Sequence, residues 1–376
     1  MAAGTESVAA PLFPSLDSLE SVLWPGAVLF VFVATAVLVD VMIILSTRLR
    51  MVDLPNRRSA HSLPTARGGG IAIVLMISVA AAVTVYRWPQ LAGRVLLGVL
   101  IPGLVIAVVG IIDDLRPLRP LLRLFIQIAV AVAMSCILGP LRSVALPGGV
   151  LLEFGPFAWP LSILWIVGMI NSFNFIDGSD GMAALGAVVA GACMAALGFE
   201  TRSLAAMLLA AFTAAAAGGF LVFNWQPARI FMGDVGSGFL GLYFAALPLL
   251  FNEPREATFV PVVLCLWPII YDSLLSVLRR IWNKQDPFKP HREFLFHRLI
   301  RSGVSHSAAA MLYALLAALG GLAGLIMASP HSPQAVAYAS LGGVFGLAAL
   351  TTFLIERRCR QVGLPSAATS YSSALQ

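Results

Sequence analysis

The sequence predicts an all-α polytopic membrane protein with about eleven transmembrane helices, its N-terminus outside and its C-terminus in the cytoplasm. Three observations carry this reading: a scarcity of charge, apolar segments of spanning length, and a lopsided placement of Lys and Arg. Of 376 residues, 59% are hydrophobic and 11% charged, and the mean hydropathy is +0.90. A soluble domain carries roughly 25% charged residues to meet water, so most of this exterior must meet hydrocarbon. A spanning helix needs about 20 apolar residues. Such segments run near 22–46, 68–86, 94–112, 121–139, 157–173, 181–199, 203–223, 236–251, 257–278, 307–327 and 335–355. The Ala-rich stretch 181–223 is the hardest to divide.

Orientation follows from the cations. Arg87, Arg94, Arg142, Arg202 and Arg255 fall on one side of an eleven-span layout, and the remaining nineteen of the 24 Lys and Arg residues fall on the other. The positive-inside rule puts the rich side in the cytoplasm. The formal charge of +6 is then a topology signal and a contact for lipid headgroups, and no nucleic-acid partner is expected.

The remaining organisation is simple. Residues 1–21 carry Glu6, Asp17 and Glu20 but no cation; they read as a short polar leader, since a cleavable signal peptide needs a positive start. Residues 22–355 form a single transmembrane domain with cytoplasmic loops near 47–67, 113–120, 174–180, 224–235 and 279–306. Residues 356–376 read as a disordered cytoplasmic tail. Cys136, Cys193, Cys265 and Cys359 read as small buried hydrophobes. Gly320 and Gly324 have the spacing of close helix packing.

Carboxylates at membrane depth are costly, so their placement is informative. Asp113 and Asp114 end the third span, Asp177 and Asp180 follow the fifth, and Asp234 precedes the eighth, all at cytoplasmic ends. Adjacent acids such as Asp113 and Asp114 repel unless a cation is near; Arg119 and Arg123 could serve, and a plain charged helix end reads equally well. The run Asn171-Ser-Phe-Asn174-Phe-Ile-Asp177-Gly178-Ser-Asp180-Gly181 offers oxygen ligands on a glycine bend, which suits a hard cation such as Mg²⁺; a simple Asx-turn is the plainer account. Asn224 to Gly238 brings Asp234 beside open backbone at a helix start, a geometry suited to a metal–phosphate complex. The loop at 279–306 collects Arg279, Arg280, Arg292, His297, Arg298 and Arg301, able to clamp phosphate or to touch headgroups. Residues 53–70, ending in Gly68-Gly69-Gly70, also suit an anion.

Taken together, Asp113-Asp114, Asn171-x-x-Asn174-x-x-Asp177-Gly-x-Asp180-Gly and Asn224-x-x-Pro-Ala-x-x-Phe-Met-Gly-Asp234-x-Gly-Ser strongly resemble the polyprenyl-phosphate N-acetylhexosamine-1-phosphate transferase family, the enzymes that begin lipid-linked O-antigen, teichoic acid and peptidoglycan precursors. The resemblance spans roughly residues 50 to 300. It implies that UDP-N-acetylhexosamine and polyprenyl phosphate give a polyprenyl diphosphate sugar and UMP, at the cytoplasmic face of a bacterial inner membrane among membrane lipids. It implies Mg²⁺, with Mn²⁺ as an alternative, held by Asp234 with Asn174 as a second ligand. Asp113 then deprotonates or positions the lipid phosphate with Asp114 in support. Asn171, Asn174, Asp177, Asp180, Arg123, Arg292, His297 and Arg298 would bind substrate, and Phe231 would stack on uracil. A homodimer is compatible with the family. Many relatives carry a three-histidine run in the last large loop, whereas Phe294-Leu295-Phe296-His297-Arg298 keeps one histidine. With Pro290-His291-Arg292 and the loop from Pro55 to Gly70, this looks closest to the O-antigen-initiating branch. Direct attack by the lipid phosphate is the expected route, with a covalent aspartyl intermediate as the alternative. The rival class is an ion or solute transporter using intramembrane carboxylates, for which Asp40 within the first span would be the marker.

Overall fold

The computed structural model describes residues 23–48, 52–53, 64–251, 256–286 and 293–364. Among them, eleven helices are long and apolar enough to cross a membrane. They are α1 (Leu23–Arg48), α2 (Gly70–Arg87), α3 (Ile101–Leu115, entered through a π-helical Gly93–Leu100), α4 (Pro120–Leu138), α5 (Ala158–Ile176), α6 (Met182–Glu200), α7 (Leu204–Asn224), α8 (Gly233–Leu250), α9 (Glu256–Trp282), α11 (His306–Ala328) and α12 (Gln334–Gln361). A short α10 (Leu295–Arg301) lies between α9 and α11. Each predicted span is present, and the Ala-rich stretch divides at Thr201–Ser203 as expected.

The bundle is organised around α8. Its residues are 89% buried within the protein, against 17% for α1 and α12, so α8 is a core helix and the other two face lipid. Lipid supplies no hydrophobic drive between helices, so close approach through small residues must hold them. The neighbours of α8 meet it in that way. A Cβ on Gly110 of α3 would lie 2.5 Å from the Val235 nitrogen, one on Gly70 of α2 2.5 Å from the Gly236 Cα, and one on Gly241 of α8 2.5 Å from the Met169 oxygen of α5. Aromatic stacking fills the remainder, with Phe173 and Phe244 centroids 5.1 Å apart. Gly324 of α11 packs on Pro261 of α9 with a would-be Cβ contact of 2.7 Å, as its spacing with Gly320 predicts.

Two short hairpins close the ends. β1 (Val52–Asp53) pairs antiparallel with β2 (Thr65–Ala66), and β3 (Ser143–Ala145) with β4 (Leu151–Glu153). Beyond β2, Phe231 N donates to Ala66 O at 2.8 Å, while Gly69 N and Gly70 N donate to Phe231 O and Met232 O at 3.0 Å. This seam ties the chain entering α2 to the chain entering α8.

One boundary differs from expectation. Helix α12 runs to Gln361, six residues past the predicted end of the last span. Glu356 is the reason: its carboxylate accepts from Arg279 at 2.9 Å and Arg298 at 2.7 Å, so the charged run is docked and helical. The four cysteines are free; Cys265 and Cys359 are buried, Cys193 is partly buried, and Cys136 is exposed on the outer surface of α4. The predicted leader lies outside the described residues, as does the tail beyond Leu364.

Replacing Gly110 with Ala should therefore push α3 off α8. A loss of about 1–3 kcal/mol is expected for overpacking a tight contact, read as a lower unfolding midpoint in detergent. A midpoint equal to wild type would show that the crossing has slack.

Candidate active site

Adjacent residues on a helix point about 100° apart around its axis. At the end of α3 this sends Asp113 and Asp114 to different partners. Asp114 turns to α8: its Oδ1 accepts from Asp234 N at 3.2 Å and its Oδ2 from Val235 N at 3.3 Å. The carboxylate thus caps a helix that carries no side-chain cap of its own, where orphan amides and the positive dipole end favour an anion. Gly233, at φ +76°, lets the chain turn into α8. A Cβ there would sit 2.5 Å from Asp114 Oδ2.

Asp113 turns to α4. Its Oδ1 accepts from Leu118 N at 2.6 Å and its Oδ2 from Arg123 Nη1 at 2.5 Å. The same Nη1 lies 3.1 Å from Asp234 Oδ2, and Arg123 Nη2 reaches Asn174 Oδ1 at 3.5 Å. Asn174 Nδ2 donates to Asp234 Oδ1 at 2.6 Å and to Ser237 Oγ at 3.2 Å. Helices α3, α4, α5 and α8 thus each send a polar side chain to one point. Arg119, the other cation proposed for the acidic pair, is not part of this cluster.

Asp177, in the turn after α5, faces the same group. Burial and the neighbouring Asp234 and Asp114 carboxylates push its carboxyl well above the ordinary value of 3.8, partly offset by the Gly233 amide. The carboxylates whose convergence the sequence argument requires, Asp114, Asp177 and Asp234, are therefore close enough to feel one another.

A cavity opens beside this cluster, lined by Ile106, Val109, Gly110 and Asp113 of α3, Arg123 and Gln127 of α4, Ile170 and Asn174 of α5, and Asp234 and Gly238 of α8. It is small and open on one side, with a free volume of ≈ 20 Å³, about the room one water molecule needs. The donors at its rim are carboxylate and amide oxygens, the set hard cations take. Among the described residues no three His, Cys, Asp or Glu side chains form a ready-made metal group. Arg123 between Asp113 and Asp234 marks where positive charge belongs.

Several expected substrate contacts are used otherwise. Arg298 is buried and bonded to Glu356, so its guanidinium docks α10 onto α12; its reading as a phosphate clamp is corrected. Asn171 donates through Nδ2 to Gln127 Oε1 and Val167 O, both at 2.8 Å, and acts through Gln127. Asp180 Oδ2 accepts from Ala228 N at 3.1 Å, bracing the loop before α8. Phe231 is half-buried, with its backbone in the seam with Ala66 and Gly69. His297 sits against the acidic turn, its Nε2 3.1 Å from where a Gly178 Cβ would be. Arg292 lies outside the described residues. Asp40 is half-exposed and 3.7 Å from Arg229, a surface pair and no step in a transport path.

Three residues have roles that the sequence reading did not assign. His306 Nδ1 bonds Ser179 Oγ at 2.9 Å, steadying the acidic turn. Buried Asn224 joins that turn to the loop before α8, accepting from Gly181 N and donating to Ile230 O. Asp272, buried in α9, accepts from Leu295 N, Phe296 N and Tyr313 Oη, and so fixes the start of α10. A lone acid in an apolar span was the available signal for Asp272.

Fold and site together define a multi-pass membrane protein with acids, an amide and an arginine gathered at one end of its spans. Residues 96–252, which carry α3 to α8, match Glycosyl transferase family 4. The chain is 30% identical over 290 residues to a probable undecaprenyl-phosphate N-acetylglucosaminyl 1-phosphate transferase of Bacillus subtilis (strain 168), covering 76% of this chain and 79% of the relative. It is 31% identical over 345 residues to a decaprenyl-phosphate N-acetylglucosaminephosphotransferase of Mycobacterium tuberculosis (strain ATCC 25618 / H37Rv), covering 82% and 84%. Against an undecaprenyl-phosphate alpha-N-acetylglucosaminyl 1-phosphate transferase of Yersinia pestis the figures are 28% over 307 residues, 79% and 80%. The chain belongs to the polyprenyl-phosphate hexosamine-1-phosphate transferase family.

The two acids of α3 should separate experimentally. Asp114→Ala strands the Asp234 and Val235 amides and should cost about 1–3 kcal/mol, visible as a lower unfolding midpoint, whereas Asp113→Asn should leave the midpoint near wild type and lose activity. For Asp177 the folded carboxyl holds its proton to higher pH than the unfolded one. Ionisation above the unfolded value of 3.8 therefore costs stability, increasingly until the folded group also titrates. In metal-free buffer, Asp177→Asn should gain stability over wild type as pH rises from that value; parallel stability curves would contradict the raised carboxyl.

Proposed function

We propose that the protein transfers N-acetylhexosamine 1-phosphate from a UDP-sugar to polyprenyl phosphate, giving a polyprenyl diphosphate sugar and UMP, at the cytoplasmic face of a bacterial inner membrane. The observation that carries this is the joint of Arg123 with Asp113, Asp234 and Asn174, beside a small cavity lined by α3, α4, α5 and α8. A guanidinium held between carboxylates is a pre-set phosphate site: an incoming phosphate competes for its donors. The joint stands at the loop end of its four helices, where a lipid-borne acceptor could meet a water-borne donor.

In this reading an oxygen of the lipid phosphate attacks the β-phosphorus of the nucleotide sugar. The bond from that phosphorus to the α–β bridging oxygen breaks, and the bridging oxygen leaves with UMP. Asp113 orients or deprotonates the acceptor phosphate, which its direct contact with Arg123 supports. Arg123 screens the two anions as they approach, and Asp114 holds Asp234 in place through the backbone. Asp234 and Asn174 would hold Mg²⁺, whose charge would steady the leaving phosphate. The acidic turn at Asp177–Asp180, with Phe231 across the seam, would receive the nucleoside, and His297 would border it. Positioning and charge screening supply most of the catalysis in phosphoryl transfer, and these residues serve both.

For the donor, the relatives' names favour N-acetylglucosamine. The single histidine of Phe294-Leu295-Phe296-His297-Arg298 favours an O-antigen-like glycan. Purified protein with Mg²⁺, polyprenyl phosphate and a panel of UDP-N-acetylhexosamines should release UMP, and chelation should stop it. Asp234→Ala should cut turnover by about 10³-fold, the scale for losing a pre-set electrostatic contact, while Asp40→Ala should cost less than about threefold. Near-full turnover by Asp234→Ala would remove the metal assignment. Labelled enzyme trapped by rapid quench without lipid would replace direct attack with an aspartyl intermediate.

A further inference from the structure

The cavity beside Arg123 is layered. On each of its helices a polar residue stands at the rim, and another lining residue lies three or four positions deeper: Asp113 above Gly110 on α3, Arg123 above Gln127 on α4, Asn174 above Ile170 on α5, Asp234 above Gly238 on α8. Four residues of helix are roughly 6 Å. The second layer is therefore one turn farther from the loops, and Ile106 lies one turn deeper still. This layer is apolar or glycine except for Gln127.

Gln127 is 6% exposed. Its Oε1 accepts from Asn171 Nδ2 at 2.8 Å, and the second Asn171 hydrogen is taken by Val167 O at 2.8 Å. Asn171 therefore fixes which end of the Gln127 amide faces away. That end is Nε2, which has no hydrogen-bond partner among the described residues. Nε2 is not sealed from solvent and Gln127 lines the cavity, so an acceptor that enters the cavity can take this fixed donor without breaking a bond inside the protein. Below the rim, walled by Ile106, Val109 and Ile170, the acceptor best matched is an anionic oxygen on a molecule that also carries hydrocarbon.

We propose that Gln127, oriented by Asn171, binds a non-attacking oxygen of the acceptor's phosphate monoester, so that this amide pair is the element of the site that recognises the lipid substrate. The inference rests on the transferase reading above. The phosphate would lie between Arg123 on the loop side and Gln127 on the membrane side, with its first isoprene units against the apolar wall.

The test uses the full-length protein in detergent, with UMP release followed while polyprenyl phosphate and UDP-N-acetylhexosamine are varied separately. Gln127→Leu should raise the KM for polyprenyl phosphate about tenfold and leave the KM for the nucleotide sugar within twofold. Asn171→Leu should move the same constant by less, and adding it to Gln127→Leu should give no further rise. Gln127→Asn, measured with unfolding midpoints for every variant, separates recognition from folding: an equal rise in both KM values with a lower midpoint would make the pair purely structural and overturn the inference. A selective rise in the nucleotide-sugar KM would overturn it in favour of the donor diphosphate. An unchanged polyprenyl-phosphate KM in Gln127→Leu would also overturn it while the transferase reading stands. Absence of UMP release by the wild-type protein with every donor would overturn that reading itself and this inference with it.

Discussion

The arrangement depends on the bond between the Asp114 carboxylate and the first amides of α8. Helix α8 is the core of the bundle, and its start is where the site is built. Both oxygens of Asp114 are spent on the Asp234 and Val235 nitrogens, so the end of α3 and the start of α8 form one rigid joint. Buried helix amides without partners are costly, and a carboxylate from a neighbouring helix removes that cost. It also sets the direction of Asp234, since that side chain leaves the backbone at the capped residue. Gly233 is part of the same constraint, because its left-handed backbone and lack of a Cβ let the carboxylate come close.

Around the joint the charges are arranged to balance one another. Arg123 lies between Asp113 and Asp234 and touches Asn174, and its charge offsets part of the repulsion between those two carboxylates. Asp177 has its carboxyl pushed upward by burial and by the Asp234 and Asp114 carboxylates. Farther out, cations of the 279–306 region serve the scaffold: Arg279 and Arg298 share Glu356, and Arg280 bonds Asp286 O and Glu293. With Asp272 fixing the start of α10, these bonds hold His297 against the acidic turn. Three cations of this region, Arg279, Arg280 and Arg298, are thus committed to folding.

Much was legible beforehand because the bilayer is a severe filter. Residues that must meet hydrocarbon over 20 positions leave an unmistakable pattern, and carboxylates tolerated near it must have work to do. The errors came where a polar residue has a distant partner. Arg298 reads as a phosphate ligand until Glu356, 58 positions away, is found beside it, and the Glu356-Arg357-Arg358 run reads as a loose tail for the same reason. Gln127 attracts no notice within an apolar helix until Asn171 is seen to hold it.

The sequence alone determined the membrane class, the eleven spans and the gathering of acids and amides at one end, since hydropathy and helix period act locally along the chain. Tertiary structure alone decided which oxygen each side chain uses. Asp113 and Asp114 are identical neighbours, yet one meets Arg123 and the other caps α8. Only the packing of α3 between α4 and α8, through glycine contacts too close for a Cβ, gives the two acids their different partners.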